Sequence, residues 1–452
     1  MDDMKSLREI LTQRHAKYYI ETYGCQMNAH DSEKLAGILE GLGYQPGSKE
    51  EAELILFNTC CVRENAELKI FGNVGALKQR KRKNRNLVLG VCGCMMQQEA
   101  VARRLFDTFP FVDFVFGTGN MHELPAMVVS AVLDRERSFC VKKIAGDVIE
   151  DVPVIRNKPP LASVSIMQGC DNFCTYCIVP YVRGRERSRA PEEILKEVAG
   201  LARAGYREVM LLGQNVNSYG KGLSEAPTFD GLLRRIARET EIQRIRFMTS
   251  HPKDVSPRLL EAMAEEPKIC SQLHLPVQSG STRILQAMNR SYTREQYLEL
   301  VERARQTVPG LTLSTDIIVG FPGETEEDFA ETMSLVEQVR FDSAFTFVYS
   351  LRRGTKAEKM EGHLSDEVKQ RRIVELVARQ GEITFASNQA RVGKVETVLV
   401  ESVSTRSQTE MCGRTDGGKM VNFAGTPDMV GRFLPVRITE AKKTTLHGEI
   451  VE

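Results

Sequence analysis

Apolar positions along this chain follow three successive patterns. In the first stretch, strand-like runs rich in apolar residues stand at 17–25 (KYYIETYGC), 52–60 (AELILFNTC), 86–94 (NLVLGVCGC) and 112–120 (VDFVFGTGN). Amphipathic segments separate them, and residues 30–43 read as a helix that stops at Gly43. Apolar strand runs alternating with helices predict a parallel α/β sheet covered on both faces. Residues 142–160 break this pattern with Pro153, Pro159, Pro160 and mixed charge, and read as a linker.

The alternation resumes at 161 and runs to about 380. Candidate strands are 162–169 (ASVSIMQG), 208–215 (EVMLLGQN), 244–250 (RIRFMTS), 272–279 (QLHLPVQS), 313–320 (LSTDIIVG) and 343–350 (SAFTFVYS). Helical segments at 191–204 and 325–340 lie between them, the second opened by a capping box of Thr325 and Asp328. A long helix at 364–391 closes the region. Six such units predict a partial or complete parallel barrel, whose working residues sit at the C-terminal ends of its strands. The last segment changes period. Short alternating strands at 395–403, 411–423, 432–441 and 445–452, with an Asp-Gly turn, predict a small antiparallel β-barrel. The expected domains are thus 1–145, 160–380 and 385–452.

Composition narrows the classes. The chain has 452 residues, 42% of them hydrophobic, with a net charge of +1. No global basic field announces a polyanionic partner, and only a local patch could steer one. No apolar run reaches 18 residues, so no membrane span is expected. The N-terminal stretch alternates acids and bases without an apolar core, unlike a targeting sequence, which makes the cytoplasm the expected compartment. Arg406, Arg414, Lys419, Arg432, Arg437, Lys442 and Lys443 in the last segment suit either an RNA-binding face or a solvated surface. The basic run 78–85 (KQRKRKNR) carries the same two readings.

Eleven cysteines in a long chain without secretory features point to metal binding or catalysis rather than to a disulfide framework. Cys170, Cys174 and Cys177 follow the first barrel strand in C-x3-C-x2-C spacing. Three thiolates can hold three irons of a 4Fe–4S cubane and leave the fourth iron open. A zinc site would require a fourth nearby ligand, and no Cys or His follows Cys177 until His251. Cys25, Cys60 and Cys94 each end a predicted strand of the first domain, where parallel pairing would bring them together. Two doublets leave choices there: Cys60 or Cys61, and Cys92 or Cys94.

The cysteine motif, with Tyr176 before its last thiol, resembles the radical S-adenosylmethionine superfamily. The flanks TYGCQMNAHDSE, NTCCVRENAE and GVCGC resemble the N-terminal domain of its methylthiotransferase family, and the MiaB-type tRNA branch in particular. MQGCDNFCTYCIVPYVRGRERSR, LLGQNVNSY, HLPVQSGS, TDIIVGFPGET and VNFAGTPDMVG extend the likeness over essentially the whole chain. The resemblance implies an α/β methylthiotransferase domain, a partial (βα)6 barrel and a TRAM-like β-barrel. It implies two 4Fe–4S clusters, one on Cys170, Cys174 and Cys177 and one on Cys25, Cys60 and Cys94. Cys61, Cys92, Cys140, Cys270 and Cys412 are then spectators. It implies methylthiolation at C2 of N6-isopentenyladenosine 37 in tRNA, using one S-adenosylmethionine as methyl donor and one as radical source. Its partners would be a tRNA anticodon stem-loop and an external electron donor of flavodoxin or ferredoxin type, with the enzyme a monomer. Threonylcarbamoyladenosine in tRNA, a ribosomal protein, or non-catalytic RNA binding are the alternatives.

Further candidates stand at strand ends. Gln214 replaces the acid that superfamily members place against the cofactor's amino group, and its carbonyl oxygen can still accept from an ammonium. Gln278 and Ser279 suit the cofactor ribose or carboxylate, or a polar turn. Gly320 permits close backbone approach. Asp316 lies inside a strand and is costly to bury unpaired, so it is expected to face the barrel interior. The run Arg183, Arg185, Arg187 and Arg189 is either a solvated face or an anion clamp.

Overall fold

The computed structural model describes residues 2–61, 66–144, 150, 152–156, 159–405, 407 and 409–451. Parts of the 142–160 linker, of the NTCCVRENAE stretch, and Arg406 lie outside the described residues. The chain divides into two compact units. The first is Met1–Asn157 with Gln168–Asp171 and Ile178–Arg187; the second is Lys158–Met167, Asn172–Cys177 and Ser188–Glu452.

Within the first unit, strands β1 (Lys17–Thr22), β2 (Gln45–Pro46), β3 (Leu54–Thr59), β4 (Val88–Gly93), β5 (Phe114–Phe116) and β6 (Ser138–Cys140) form one sheet. All its pairs are parallel, in the order β2-β1-β3-β4-β5-β6. Successive side chains alternate between faces. Accordingly, Leu54, Leu56 and Val88 enter one apolar core, while Ile55, Phe57 and Leu89 enter another. Helices α1 (Asp2–Gln13), α2 (Gln26–Gly41), α3 (Ala66–Ala76), α4 (Lys78–Lys83), α5 (Glu99–Thr108), α6 (Leu124–Val129) and α7 (Val179–Val182) complete the unit. The expected doubly covered parallel sheet is therefore present.

Helix α2 differs from expectation. It begins at Gln26 rather than residue 30, with Cys25 in extended conformation as its N-cap. No capping side chain marks that start, which is why the pattern missed it. The helix ends before Gly43, whose φ of 100° suits a residue just beyond a helix.

The second unit holds β7 (Leu161–Ser165), β10 (Glu208–Leu212), β11 (Arg244–Phe247), β12 (Gln272–His274), β13 (Thr312–Val319) and β14 (Ser343–Val348). The two-residue strands β8 (Met167–Gln168) and β9 (Arg187–Ser188) lie between β7 and β10 in sequence. The six main strands form two parallel sheets, β7-β10-β11 and β12-β13-β14, with Ile245 and Ile269 bridging beside β11. Helices α8 (Pro191–Arg203), α9 (Phe229–Glu239), α10 (Pro257–Glu265), α11 (Thr282–Ala287), α12 (Arg294–Thr307), α13 (Glu326–Val339) and α14 (Asp366–Gln389) alternate with and follow the strands. The capping box of Thr325 and Asp328 opens α13 as expected. Six parallel strands in chain order make the partial (βα)6 barrel.

The last strands, β15 (Val395–Val403), β16 (Glu410–Thr415), β17 (Met420–Ala424), β18 (Phe433–Ala441) and β19 (Leu446–Ile450), close in the order β15-β16-β17-β19-β18. Four of its pairings are antiparallel, but β17 and β19 pair parallel. Closure brings β19 beside β17, which no local pattern encodes.

The turn between β16 and β17 seats against the N-terminal ends of the barrel strands. Arg246 donates to the carbonyls of Thr415 and Asp416 at 2.6 Å each, and to Glu208 at 2.8 Å. Arg244 reaches the Arg414 carbonyl, and the Ser271 amide donates to Asp416. A Cβ on Gly418, where φ is 77°, would lie 2.5 Å from the Gln272 side chain, so only glycine lets this turn approach. Lys419 is buried here and donates to the Asp342 carbonyl, with burial pushing its ammonium down to about 8. The reading of Lys419 as part of an exposed basic face is thereby corrected, because the tight turn folds it inward.

Arg246 is 3% exposed and its partner Glu208 is 4% exposed. Breaking a buried pair leaves one charge uncompensated, at a cost of about 3–5 kcal/mol. Arg246→Met is expected to lower the urea midpoint accordingly, and Arg246→Met with Glu208→Met to recover much of the loss. An unchanged midpoint in the single variant contradicts this account.

Candidate functional site

Cys25, Cys60 and Cys94 stand just beyond the C-terminal ends of β1, β3 and β4. The structure brings their loops together. Asn28, in the first turn of α2, donates to the carbonyls of Tyr23 at 2.8 Å and Thr59 at 2.9 Å. Its side-chain oxygen lies 3.4 Å from the Cys94 sulfur. The Cys94 amide donates to the Thr59 carbonyl. Gly24, at φ 113°, passes so close to Cys60 that a Cβ there would lie 2.8 Å from its Sγ. Glycine at this position is therefore a requirement of the packing.

Arg183 completes this constellation. It is 5% exposed, and its Nε donates to Cys94 Sγ at 3.2 Å. Its Nη2 donates to Asn28 Oδ1 at 2.7 Å and pairs with Asp31 Oδ2 at 2.6 Å. The Cys94 thiol is held down at about 6, chiefly by a hydrogen bond from Cys61 and further by Arg183, against the opposing effect of burial. A thiolate is the form that ligates metal. Among the described residues, no three thiol, imidazole or carboxylate groups already stand in metal-binding geometry. The chemistry of the donor set nevertheless suits a thiophilic cluster: three thiols at strand ends, one of them depressed and beside a buried cation.

The five remaining cysteines sort by environment. Cys92 lies buried inside β4 and Cys270 is buried in the second unit, and burial raises both thiols. Cys140 is raised to about 11 by burial and by Glu123, while Cys412 is half-buried in β16. Cys61 is different, since it packs with Cys94, Ile178 and Val182. The NTCC doublet thus keeps both of its thiols in this neighbourhood.

In the second unit, residues 172–177 are anchored by the turn after α11. Asn289 donates to the Asn172 and Phe173 carbonyls at 3.1 Å each, and the Thr175 amide donates to the Met288 carbonyl. The Cys177 amide closes a turn onto the Cys174 carbonyl. Arg290, buried, reaches Cys174 Sγ at 3.5 Å while also donating to the Pro276 carbonyl and the Tyr292 hydroxyl. Cys170 lies in the stretch Gln168–Asp171 of the first unit, and its amide donates to the Gly184 carbonyl. Chain spacing alone relates it to Cys174 and Cys177.

The other candidates lie in the cysteine loop, at strand ends and, for Asp316, inside β13. Tyr176 packs against Ile284, Met288, Phe321, Tyr349 and Ala357, and burial raises its phenol. Gln214, two residues past β10, has a buried side-chain oxygen without a hydrogen-bond partner. Asn217 and Ser250 carry buried polar atoms in the same condition, and sequence reasoning missed both. Buried polar groups are ordinarily satisfied, so each of these atoms keeps an unspent hydrogen-bonding capacity. Gln278, at φ 72°, is held by backbone bonds to Asp316 and Ile318. The Ser279 hydroxyl is engaged by Thr332 and the Ser281 amide, as a polar turn requires. Asp316 Oδ1 lies 3.4 Å from His274 Nε2. The Gly320 amide donates to Glu324.

The arginine run reads differently from either expectation. Arg183 and Arg189 are buried and Arg185 pairs with Asp171, while Arg189 donates to the Ser165 carbonyl and Glu197. The two ends of the run, Arg183 and Arg189, are buried while Arg185 is exposed, so the run offers no continuous clamp. In the run 78–85, Arg80 and Lys81 are likewise tied to carbonyls and to Asp113.

Three family models match along the chain: the Uncharacterized protein family UPF0004 at residues 17–117, the Radical SAM superfamily at 164–336 and the TRAM domain at 389–451. Among solved structures, the radical S-adenosylmethionine methyltransferase TsrM from Kitasatospora setae is similar at TM-score 0.52 and 14% identity, over 68% of this chain and 64% of that one. The cobalamin-dependent S-adenosylmethionine radical enzyme OxsB is similar at TM-score 0.51 and 14% identity, over 83% of this chain and 57% of that one. These likenesses define the fold class as that of radical S-adenosylmethionine enzymes. Full-length relatives are much nearer. A tRNA-2-methylthio-N(6)-dimethylallyladenosine synthase from Clostridium botulinum (strain Eklund 17B / Type B) is 51% identical over 100% of this chain and 99% of its own. Proteins of the same name from Clostridium perfringens (strain SM101 / Type A) and Carboxydothermus hydrogenoformans are each 53% identical over 96% of this chain, and over 98% and 99% of their own. The chain belongs to the tRNA-2-methylthio-N(6)-dimethylallyladenosine synthase family, whose members are radical S-adenosylmethionine enzymes.

Among the described residues, no helix is long and apolar enough to cross a membrane.

His251 beside this site is held neutral. Burial, the largest cause, and Arg290 push its imidazole down to about 2. The unfolded chain takes up a proton at this group below about pH 6.5, while the folded chain does not, so stability falls as the pH drops through that window. Between pH 7.5 and 5.5 this amounts to about 1.4 kcal/mol. His251→Asn is expected to lose that much less stability than the parent over the same interval in urea titrations, and equal losses contradict the assignment.

Proposed function

We propose that this chain methylthiolates C2 of N6-isopentenyladenosine 37 in the tRNA anticodon stem-loop, consuming one S-adenosylmethionine as methyl donor and another as radical source. The observation that carries the reading is the convergence of the Cys25, Cys60 and Cys94 loops on Asn28 and Arg183 in a full-length relative of the named synthases. Cys170, Cys174 and Cys177 would hold one 4Fe–4S cluster, and Cys25, Cys60 and Cys94 a second. When bound, the first supplies the electron that cleaves S-adenosylmethionine to a 5′-deoxyadenosyl radical, and the second supplies the methylthio group.

The chain's own residues bind and orient. Gln214 accepts from the cofactor's ammonium through its unspent oxygen. Tyr176 forms a wall with the aromatic cluster around Phe321. Gln278 bridges Ile317, next to Asp316 inside β13, and Gly320 follows the end of that strand. The C2–H bond resists acid–base chemistry, so no general base is required of His251 or His274. The exposed Arg432, Arg437, Lys442 and Lys443 of the C-terminal barrel supply phosphate contacts to the RNA. An external flavodoxin- or ferredoxin-type donor supplies electrons, and the enzyme works as a cytoplasmic monomer.

Anaerobic turnover with a reductant, S-adenosylmethionine and an isopentenylated anticodon stem-loop tests this reading. Cys174→Ala is expected to abolish 5′-deoxyadenosine. Cys60→Ala is expected to retain 5′-deoxyadenosine but to lose the methylthio product by mass spectrometry. Formation of 5′-deoxyadenosine by Cys174→Ala at the parent rate would sink the assignment. Lys442→Ala with Lys443→Ala is expected to weaken stem-loop binding and to reduce its salt dependence by about 1 to 2 in log–log slope. A slope equal to the parent's removes these lysines from the interface.

A further inference from the structure

We propose that Arg183 is the positioning residue of the second cluster, holding the Cys94 sulfur and setting the potential at which a cluster on Cys25, Cys60 and Cys94 accepts an electron. The inference rests on the two-cluster reading above. Arg183 spends its guanidinium on three partners at once: Cys94 Sγ, Asn28 Oδ1 and Asp31 Oδ2. Asn28 in turn ties the carbonyls of Tyr23 and Thr59, which lead into Cys25 and Cys60. One side chain thus reaches the loops of all three thiols, either directly or through a single amide. The Asn58 side chain braces the arrangement by donating to the Asn28 carbonyl and to Ser32.

Stability alone does not account for this arginine. A buried ion pair is often replaceable by apolar side chains of similar volume without loss. Here the guanidinium instead turns its Nε onto a sulfur while Asp31 answers its charge at Nη2. Hydrogen bonds and charge at ligand sulfurs are among the main determinants of iron–sulfur potentials. A positive charge in a low-dielectric surround favours the more negative, reduced state. Asp31 offsets it, so the pair forms an opposed couple beside one ligand. Arg183 also lies only six positions beyond Cys177 in the chain, so one short stretch carries the last thiol of the first motif and the cation of the second.

The test uses the full-length chain carrying Cys170→Ala, Cys174→Ala and Cys177→Ala, which leaves only the second site. After anaerobic reconstitution this parent is expected to bind about four irons per chain. Iron content, the electron paramagnetic resonance spectrum of the reduced protein and the midpoint potential are read, with a dye-mediated titrant supplying the single electron. Arg183→Gln is expected to lower the midpoint and alter the spectrum, Arg183→Lys to fall between, and Asp31→Asn to raise it. Arg183→Gln with Asp31→Asn is expected to return toward the parent. Arg183→Gln and Asp31→Asn variants that keep their iron with the parent's midpoint overturn the inference. If Arg183→Gln loses its iron, Asp31→Asn and Arg183→Lys decide: shifted midpoints support the proposal, and unmoved ones overturn it. A parent that takes up no iron overturns the two-cluster reading itself.

Discussion

In a parallel sheet every strand must return through a crossover, so all C-terminal strand ends lie along one edge. The parallel sheets of both units obey that constraint, and the placement of the candidate residues follows from it. In the first, residues just past β1, β3 and β4 are Cys25, Cys60 and Cys94. In the second, residues past β10, β11 and β12 include Gln214, Ser250 and Gln278. Groups far apart in the chain meet because the hydrogen-bonded register puts their strands side by side. The apolar alternation that fills two cores on opposite faces of the first sheet keeps that register from slipping.

At both cysteine sites a buried guanidinium approaches a sulfur. Arg183 lies 3.2 Å from Cys94 Sγ, and Arg290 lies 3.5 Å from Cys174 Sγ. Away from water, a cation is expensive unless neighbouring groups answer it. The Pro276 carbonyl and the Tyr292 hydroxyl answer Arg290, while Asp31 and Asn28 answer Arg183. The Cys94 thiol is lowered partly by the Arg183 charge, because Coulomb interactions strengthen as the dielectric falls.

The opposite end of the partial barrel has another task. There the tight turn between β16 and β17 is locked by Arg244, Arg246, Glu208 and Asp416. Residues at the N-terminal ends of barrel strands serve stability, and those at the C-terminal ends serve chemistry. The separation lets the C-terminal barrel be held firmly while its exposed Arg437, Lys442 and Lys443 remain open to a partner.

Much of this was legible in the order of residues. Apolar runs at 54–59 and 88–93 announced parallel strands, the Thr325 capping box announced α13, and the change to period two announced the last barrel. Motif spacing also marked the six candidate thiols, since spacing is a property of the chain itself. What no local pattern could carry were partnerships across long separations. The parallel closure of β17 on β19, the inward turn of Lys419 and the contact of Arg183 with Cys94 all belong to this class. An arginine in RGRERSR looks like a solvated charge by sequence, because its neighbours there are polar. Only the fold decides its burial, because packing places Asn28, Asp31 and Cys94 around it from elements far away in the chain.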